Sequence, residues 1–159
     1  MKKVITLLLL MLIFSTSVLA VGKTSKKNSS SSGSGDVGVG LIVGSFNGLN
    51  LRFLGAGNSA VNLDIAWNHD SDVLLAADYI INNKKPIQSL NGFPIYYGLG
   101  LKACSGDDSL GFRFILGTNF RLTDIDKNLE LFLELAPGLT VIDHTDGYID
   151  LGLGLRYYF

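Results

Sequence analysis

Three things are scarce or missing in this 159-residue chain, and each absence excludes a class of protein. It has one cysteine, Cys104, so no intramolecular disulfide framework can form, and Cys104 reads as a spectator thiol near a loop. Charged residues make up only 17%, with 13 basic against 14 acidic groups and a net charge of -1. That excludes a disordered polyelectrolyte and gives nucleic acid no electrostatic footprint. Finally, no apolar run reaches the ~20 residues that a spanning helix needs.

The nearest thing to such a run is Val4 to Phe14, preceded by the basic Met1-Lys2-Lys3 and followed by the small-residue site Val18-Leu19-Ala20. This order predicts a signal peptide over residues 1–20, cleaved after Ala20. No cysteine follows that site, which argues against a lipoprotein anchor. Residues 21–35, VGKTSKKNSSSSGSG, have no apolar periodicity and predict a flexible tail. Gly33 to Gly38 match the dinucleotide-binding spacing G-x-G-x-x-G, but a serine tract precedes them and a strand pattern follows, so the context fails.

What is present, from Asp36 to Phe159, is alternation with a period of two, broken by turn-rich clusters. It divides into eight segments. Their apolar faces are Val37-Val39-Leu41-Val43, Leu49-Leu51-Phe53, Val61-Leu63-Ile65-Trp67 and Val73-Leu75-Ala77-Tyr79-Ile81 in the first half. The second half supplies Ile95-Tyr97-Leu99-Leu101, Leu110-Phe112-Phe114-Leu116, Leu129-Leu131-Leu133-Leu135-Leu139-Val141 and Ile149-Leu151-Leu153-Leu155-Tyr157-Phe159. The opposite face holds glycines (Gly38, Gly40, Gly44, Gly98, Gly100, Gly111, Gly117, Gly152, Gly154) and ten charges: Arg52, Asp64, Asp78, Lys102, Arg113, Arg121, Glu130, Glu134, Asp150 and Arg156.

Alternation alone does not say which face is inside, since a soluble lipocalin-like barrel turns its apolar face inward around a ligand. Volume decides. An eight-stranded barrel has room for only a modest filling of side chains, which the glycine and charge face suits and the bulky apolar face does not. Aromatic position is a second argument: Trp67 and Phe112 fall near one end of their strands, while Tyr79, Phe120, Tyr157 and Phe159 fall near the other. Two such girdles flanking an apolar band are expected of a lipid-embedded barrel, which must close because lipid cannot satisfy an open sheet edge. The expected fold is therefore all-β: a closed, antiparallel, eight-stranded up-and-down transmembrane barrel over residues 36–159.

The last strand, Ile149-Asp150-Leu151-Gly152-Leu153-Gly154-Leu155-Arg156-Tyr157-Tyr158-Phe159, alternates and ends in phenylalanine. It resembles the assembly signal of bacterial outer membrane barrels, and the whole chain resembles the small barrels of the outer membrane protein A and X type. That resemblance implies a place in the bacterial outer membrane, contact with its lipid and lipopolysaccharide, and insertion by the barrel assembly machinery through the Phe159 strand. The chain departs from the family in having only short loops. Its longest connection, Asn82 to Gly92, falls on the periplasmic side if both chain ends do.

Three constellations could carry function. The ten inward charges, five of each sign, either lock into one network that fills the lumen or line a narrow porin-like channel; the expectation is a filled lumen. Loops three to four, five to six and seven to eight share the outer end and carry Asp70, Asp72, Asp107, Asp108, Asp143 and Asp146. Their carboxylates could hold calcium or magnesium against lipopolysaccharide phosphates, but no calcium-loop motif is present and aspartate is a common turn former, so no metal or other cofactor is expected. His69, His144, Ser71, Ser105 and Ser109 supply acyl-transfer residue types, and His69-Asp70-Ser71 has the His-x-Ser spacing of lipid A deacylases. It sits in a turn with no matching glutamate, so catalysis is not expected. The functional expectation is a structural or interaction role in the cell envelope.

Overall fold

A computed structural model describes residues 36–67, 72–83, 94–106, 108–142 and 145–159. The proposed signal peptide and tail lie outside the described residues, as does most of the Asn82–Gly92 connection.

The alternating segments form eight strands: β1 (Val37–Gly44), β2 (Asn47–Leu54), β3 (Ser59–Trp67), β4 (Val73–Asn83), β5 (Ile95–Cys104), β6 (Ser109–Arg121), β7 (Leu129–Ile142) and β8 (Gly147–Tyr158). Each pairs antiparallel with the next, and β8 returns to β1 to close the barrel. The closing seam runs from Gly38 opposite Tyr158 to Gly44 opposite Gly152, so both ends of the described barrel lie at the same rim. The seam removes the edge that an open sheet would leave unpaired.

The period of two places the large apolar residues outside. Leu41, Leu99, Ile149 and Leu151 are all more than half exposed, and the other outward leucines, valines and isoleucines of the strands form a belt with them. The inward positions mix small residues, a few aliphatic and aromatic side chains, and polar or charged groups. Two clusters of buried apolar groups share the interior with the charges: Ile42, Phe46, Ala66, Leu74, Ala76 and Phe132 form one, and Ala60, Ile80, Tyr96, Ile115 and Ala136 the other.

Glycine lets the interior accept rings that would otherwise not fit. Phe132 lies across Gly154, its register partner, and Tyr96 lies across Gly117 in the same way. At the β1–β2 turn, Gly44 has φ +150° and its α-carbon faces the Leu151 carbonyl, a conformation and a close approach that only glycine tolerates.

The β6–β7 ladder is the irregular one. It shifts register between Leu110 and Gly111, and it is not paired at Phe114–Ile115 against Ala136–Pro137. Pro137 has no N–H to contribute there, which accounts for the gap.

Candidate functional site

The inward polar groups assemble into two hydrogen-bonded branches. The first begins at Arg113 on β6, whose Nε donates to Asp78 Oδ1 at 2.7 Å and whose Nη2 donates to Asp64 Oδ2 at 2.6 Å and also to Asp78 Oδ2. Asn50 Nδ2 donates to Asp64 Oδ1 at 2.5 Å and its carbonyl accepts from Arg156 Nε at 2.8 Å. Arg156 Nη1 reaches Glu130 Oε1 at 3.0 Å, an oxygen that also accepts from the Tyr158 hydroxyl at 3.2 Å. Asn119 Nδ2 donates to the other Glu130 oxygen at 2.8 Å.

The second branch runs from Arg52 Nε to Asn62 Oδ1 at 2.7 Å, then from Asn62 Nδ2 to Glu134 Oε1 at 3.3 Å, where the Tyr96 hydroxyl also donates at 2.6 Å. Arg52 links the branches through longer ion pairs, 3.7 Å to Glu130 and 3.9 Å to Glu134. Its guanidinium lies 4.4 Å over the Tyr96 ring, and that of Arg156 lies 4.1 Å over Phe132. The Nη2 atoms of both arginines are buried with no hydrogen-bond acceptor among the described residues.

The mouth at the rim opposite the chain ends is a separate site. Lys102 Nζ donates to Asp150 Oδ2 at 2.7 Å and sits 4.0 Å over the Tyr148 ring and 6.0 Å from that of Phe46. A cavity of about 270 Å³ opens here, with Ser45, Phe46, Lys102, Cys104, Tyr148 and Asp150 among its lining residues.

Access decides what this interior can do. Relative exposure is 0% for Arg156, 1% for Arg52 and Asp64, 2% for Asp78 and 3% for Arg113, so water scarcely touches these groups in the middle of the barrel. The charges are spent on one another, and an isolated buried charge would be costly.

Of the ten charges expected inside, the structure brings eight together as buried groups: Arg52, Asp64, Asp78, Arg113, Glu130, Glu134, Asp150 and Arg156. Lys102 is partly buried at the mouth. Arg121 departs from the expectation. It has inward parity, but it is the last residue of β6, where the wall ends, and it is exposed with its guanidinium 5.4 Å from the Tyr158 ring. Without it, four bases face five acids. Sequence reasoning overlooked the neutral members Asn50, Asn62, Tyr96, Asn119 and Tyr158, although they share inward parity with the charges beside them.

Among the residues expected to form girdles, Trp67 ends β3 and Phe112 lies near the start of β6, while Phe120, Tyr157 and Phe159 lie at the opposite rim, where the last two rings meet edge to face at 5.1 Å. Tyr79 is a correction: it stands four residues inside the end of β4, opposite Val61 and Leu99, partway up the wall.

The rim aspartates do not form a metal site among the described residues, where no cluster of three suitable ligands occurs. Asp72 is half-buried and Asp108 and Asp146 are exposed; Asp70, Asp107 and Asp143 lie outside the described residues, with His69, Ser71 and His144. Asp108 takes φ +49° in the β5–β6 turn, consistent with a turn former. The Ser105 hydroxyl accepts from the Val73 N–H at 2.9 Å, a structural bond across the rim.

No family model matches the sequence, and no curated protein matches it. Among solved structures, the chain is similar to one described as coming from the de novo design of transmembrane β-barrels, with 15% identity, a TM-score of 0.58, and coverage of 82% of this chain and 100% of that one. The likeness is one of fold: this chain is a closed, eight-stranded antiparallel barrel.

Proposed function

We propose that this is a small bacterial outer membrane barrel protein, exported by its N-terminal segment, embedded in lipid through its apolar belt, and structural or interactive in role rather than conducting or catalytic. The observation that carries the reading is the pairing of an apolar exterior with a charge-filled interior that water scarcely touches. A soluble ligand-binding barrel has the reverse arrangement. An exposed apolar belt around the whole circumference is far larger than the patches soluble monomers leave uncovered, and an alternating barrel wall in lipid has this form.

The closing strand ends Arg156-Tyr157-Tyr158-Phe159, and on this reading it is the element engaged by the barrel assembly machinery. Lipid and lipopolysaccharide are the partners of the belt. The experiment is conductance recording with the purified protein in planar bilayers. A filled lumen predicts no stable openings, and discrete openings altered by Arg113→Met or Glu134→Gln would establish the narrow channel instead. An unchanged lipid A mass spectrum on overexpression is expected, and an altered acyl chain pattern would overturn the non-catalytic reading.

A further inference from the structure

The barrel wall is not equally tall all round. β1 and β2 have 8 residues each, whereas β6 has 13, β7 has 14 and β8 has 12. At the rim that holds the chain ends the strands begin nearly level, as the pairs Val37–Phe53, Arg121–Glu130 and Leu129–Tyr157 show. The difference in length therefore falls at the outer rim. There the last β1–β8 pair is Gly44–Gly152, and β8 continues from Leu151 to Gly147 above the end of β1, paired with β7 on one side and, on the other, bonded among the described residues only at Leu151, by the Ser45 backbone and hydroxyl.

Strands that rise ~3.3 Å per residue and tilt by ~40° gain ~2.5 Å of height per residue. Eight residues then span about 20 Å and fourteen about 35 Å, against an apolar band of ~25 Å for a barrel of this type. The side chains follow the slope. On β1 the outward apolar series stops at Val43, and the hairpin presents exposed Ser45 and Asn47, while on β7 it continues through Leu139 and Val141. In a flat bilayer, the polar hairpin would sit below the surface of the hydrocarbon, where its backbone groups would find no water.

We propose that the outer leaflet dips around the β1–β2 hairpin, so that this face of the barrel is fitted by a locally thinned lipid surface while the β6–β8 face meets lipid of ordinary thickness. The inference rests on the membrane reading above. Its partner is the leaflet itself, deformed by about 5 Å to meet the short wall. The same dip brings lipid headgroups level with the lip of the mouth cavity at Ser45 and Phe46.

Val43 and Leu135 make the comparison direct, since each stands six residues above the start of its strand and each points outward. In a Cys104→Ala background, nitroxide labels at Val43→Cys and at Leu135→Cys are read in dioleoylphosphatidylcholine vesicles for collision with oxygen and with a water-soluble nickel complex. The Val43 label is expected to lie about 5 Å nearer the aqueous boundary than the Leu135 label, with more nickel and less oxygen contact. Leu41→Cys and Leu133→Cys, one alternation lower, give a second pair should either first label disturb folding. Equal depth within the hydrocarbon would overturn the dip and leave the membrane reading intact. Nickel contact as high as that of a free label at both sites would overturn the membrane reading, and the inference with it.

Discussion

Arg113 is the group whose removal should cost most. Its guanidinium is 2% exposed and forms three charge-assisted hydrogen bonds, to Asp64 and Asp78, both with fully buried side chains. Arg113→Met keeps much of the side-chain volume but leaves two buried carboxylates without a cation. Breaking a buried pair in this way costs about 3–5 kcal/mol, because the stranded charge keeps its desolvation penalty. With a urea dependence of ~2 kcal/mol/M, the unfolding midpoint should fall by roughly 2 M. Trp67, the sole tryptophan, stands outward at the end of β3, and its emission reports the transition in detergent or vesicles. A triple variant, Arg113→Met with Asp64→Asn and Asp78→Asn, removes both stranded charges and should recover at least half of the loss. A single-variant cost below ~1 kcal/mol, in the range of an exposed pair, would refute the buried-network reasoning, as would a triple variant no more stable than the single one.

The glycine–ring contacts give a second contrast. A Cβ at Gly117 would lie 2.5 Å from Cε2 of the buried Tyr96 ring, so Gly117→Ala should destabilise by about 1–3 kcal/mol, whereas at Gly147 the nearest atom is 4.0 Å away and Gly147→Ala should stay within ~0.5 kcal/mol in the same unfolding assay. Leu153→Arg separates lipid from water outside the barrel: on the belt, in vesicles, it should cost about 2–4 kcal/mol, and a neutral effect would mean that the face is solvated. Cleavage after Ala20 predicts a mature protein that begins at Val21, which intact-mass measurement of the membrane-extracted protein checks directly.

How much could be read from the sequence follows from what a period of two encodes. Parity assigns a side to every residue of a strand, so the outward Val37-Val39-Leu41-Val43 and the inward Arg52, Asp64 and Arg113 could be placed without coordinates. It does not say where along the barrel axis a residue lies. Arg121 has the right parity but stands where β6 runs out, and Tyr79 has the right face at the wrong height. Nor does parity reveal partners across the lumen. The bond from Asn62 to Glu134 joins residues 72 apart in sequence, and it depends on the stagger of β3 against β7, which only the closed register sets. Asn50, Asn62 and Tyr158 were legible in principle, because each is two residues from an inward charge, but all three are neutral and so escape a pattern built on charged residues. The slope of the outer rim was likewise hidden, since it arises from strand ends and register together.

The measurement that tests the central claim most directly is the electrophoretic mobility of the membrane-extracted protein in detergent, with and without boiling. A closed barrel with its apolar face in lipid predicts a compact, faster-moving band that shifts on heating. Recovery of the protein in the soluble fraction, with one mobility before and after boiling, would contradict it.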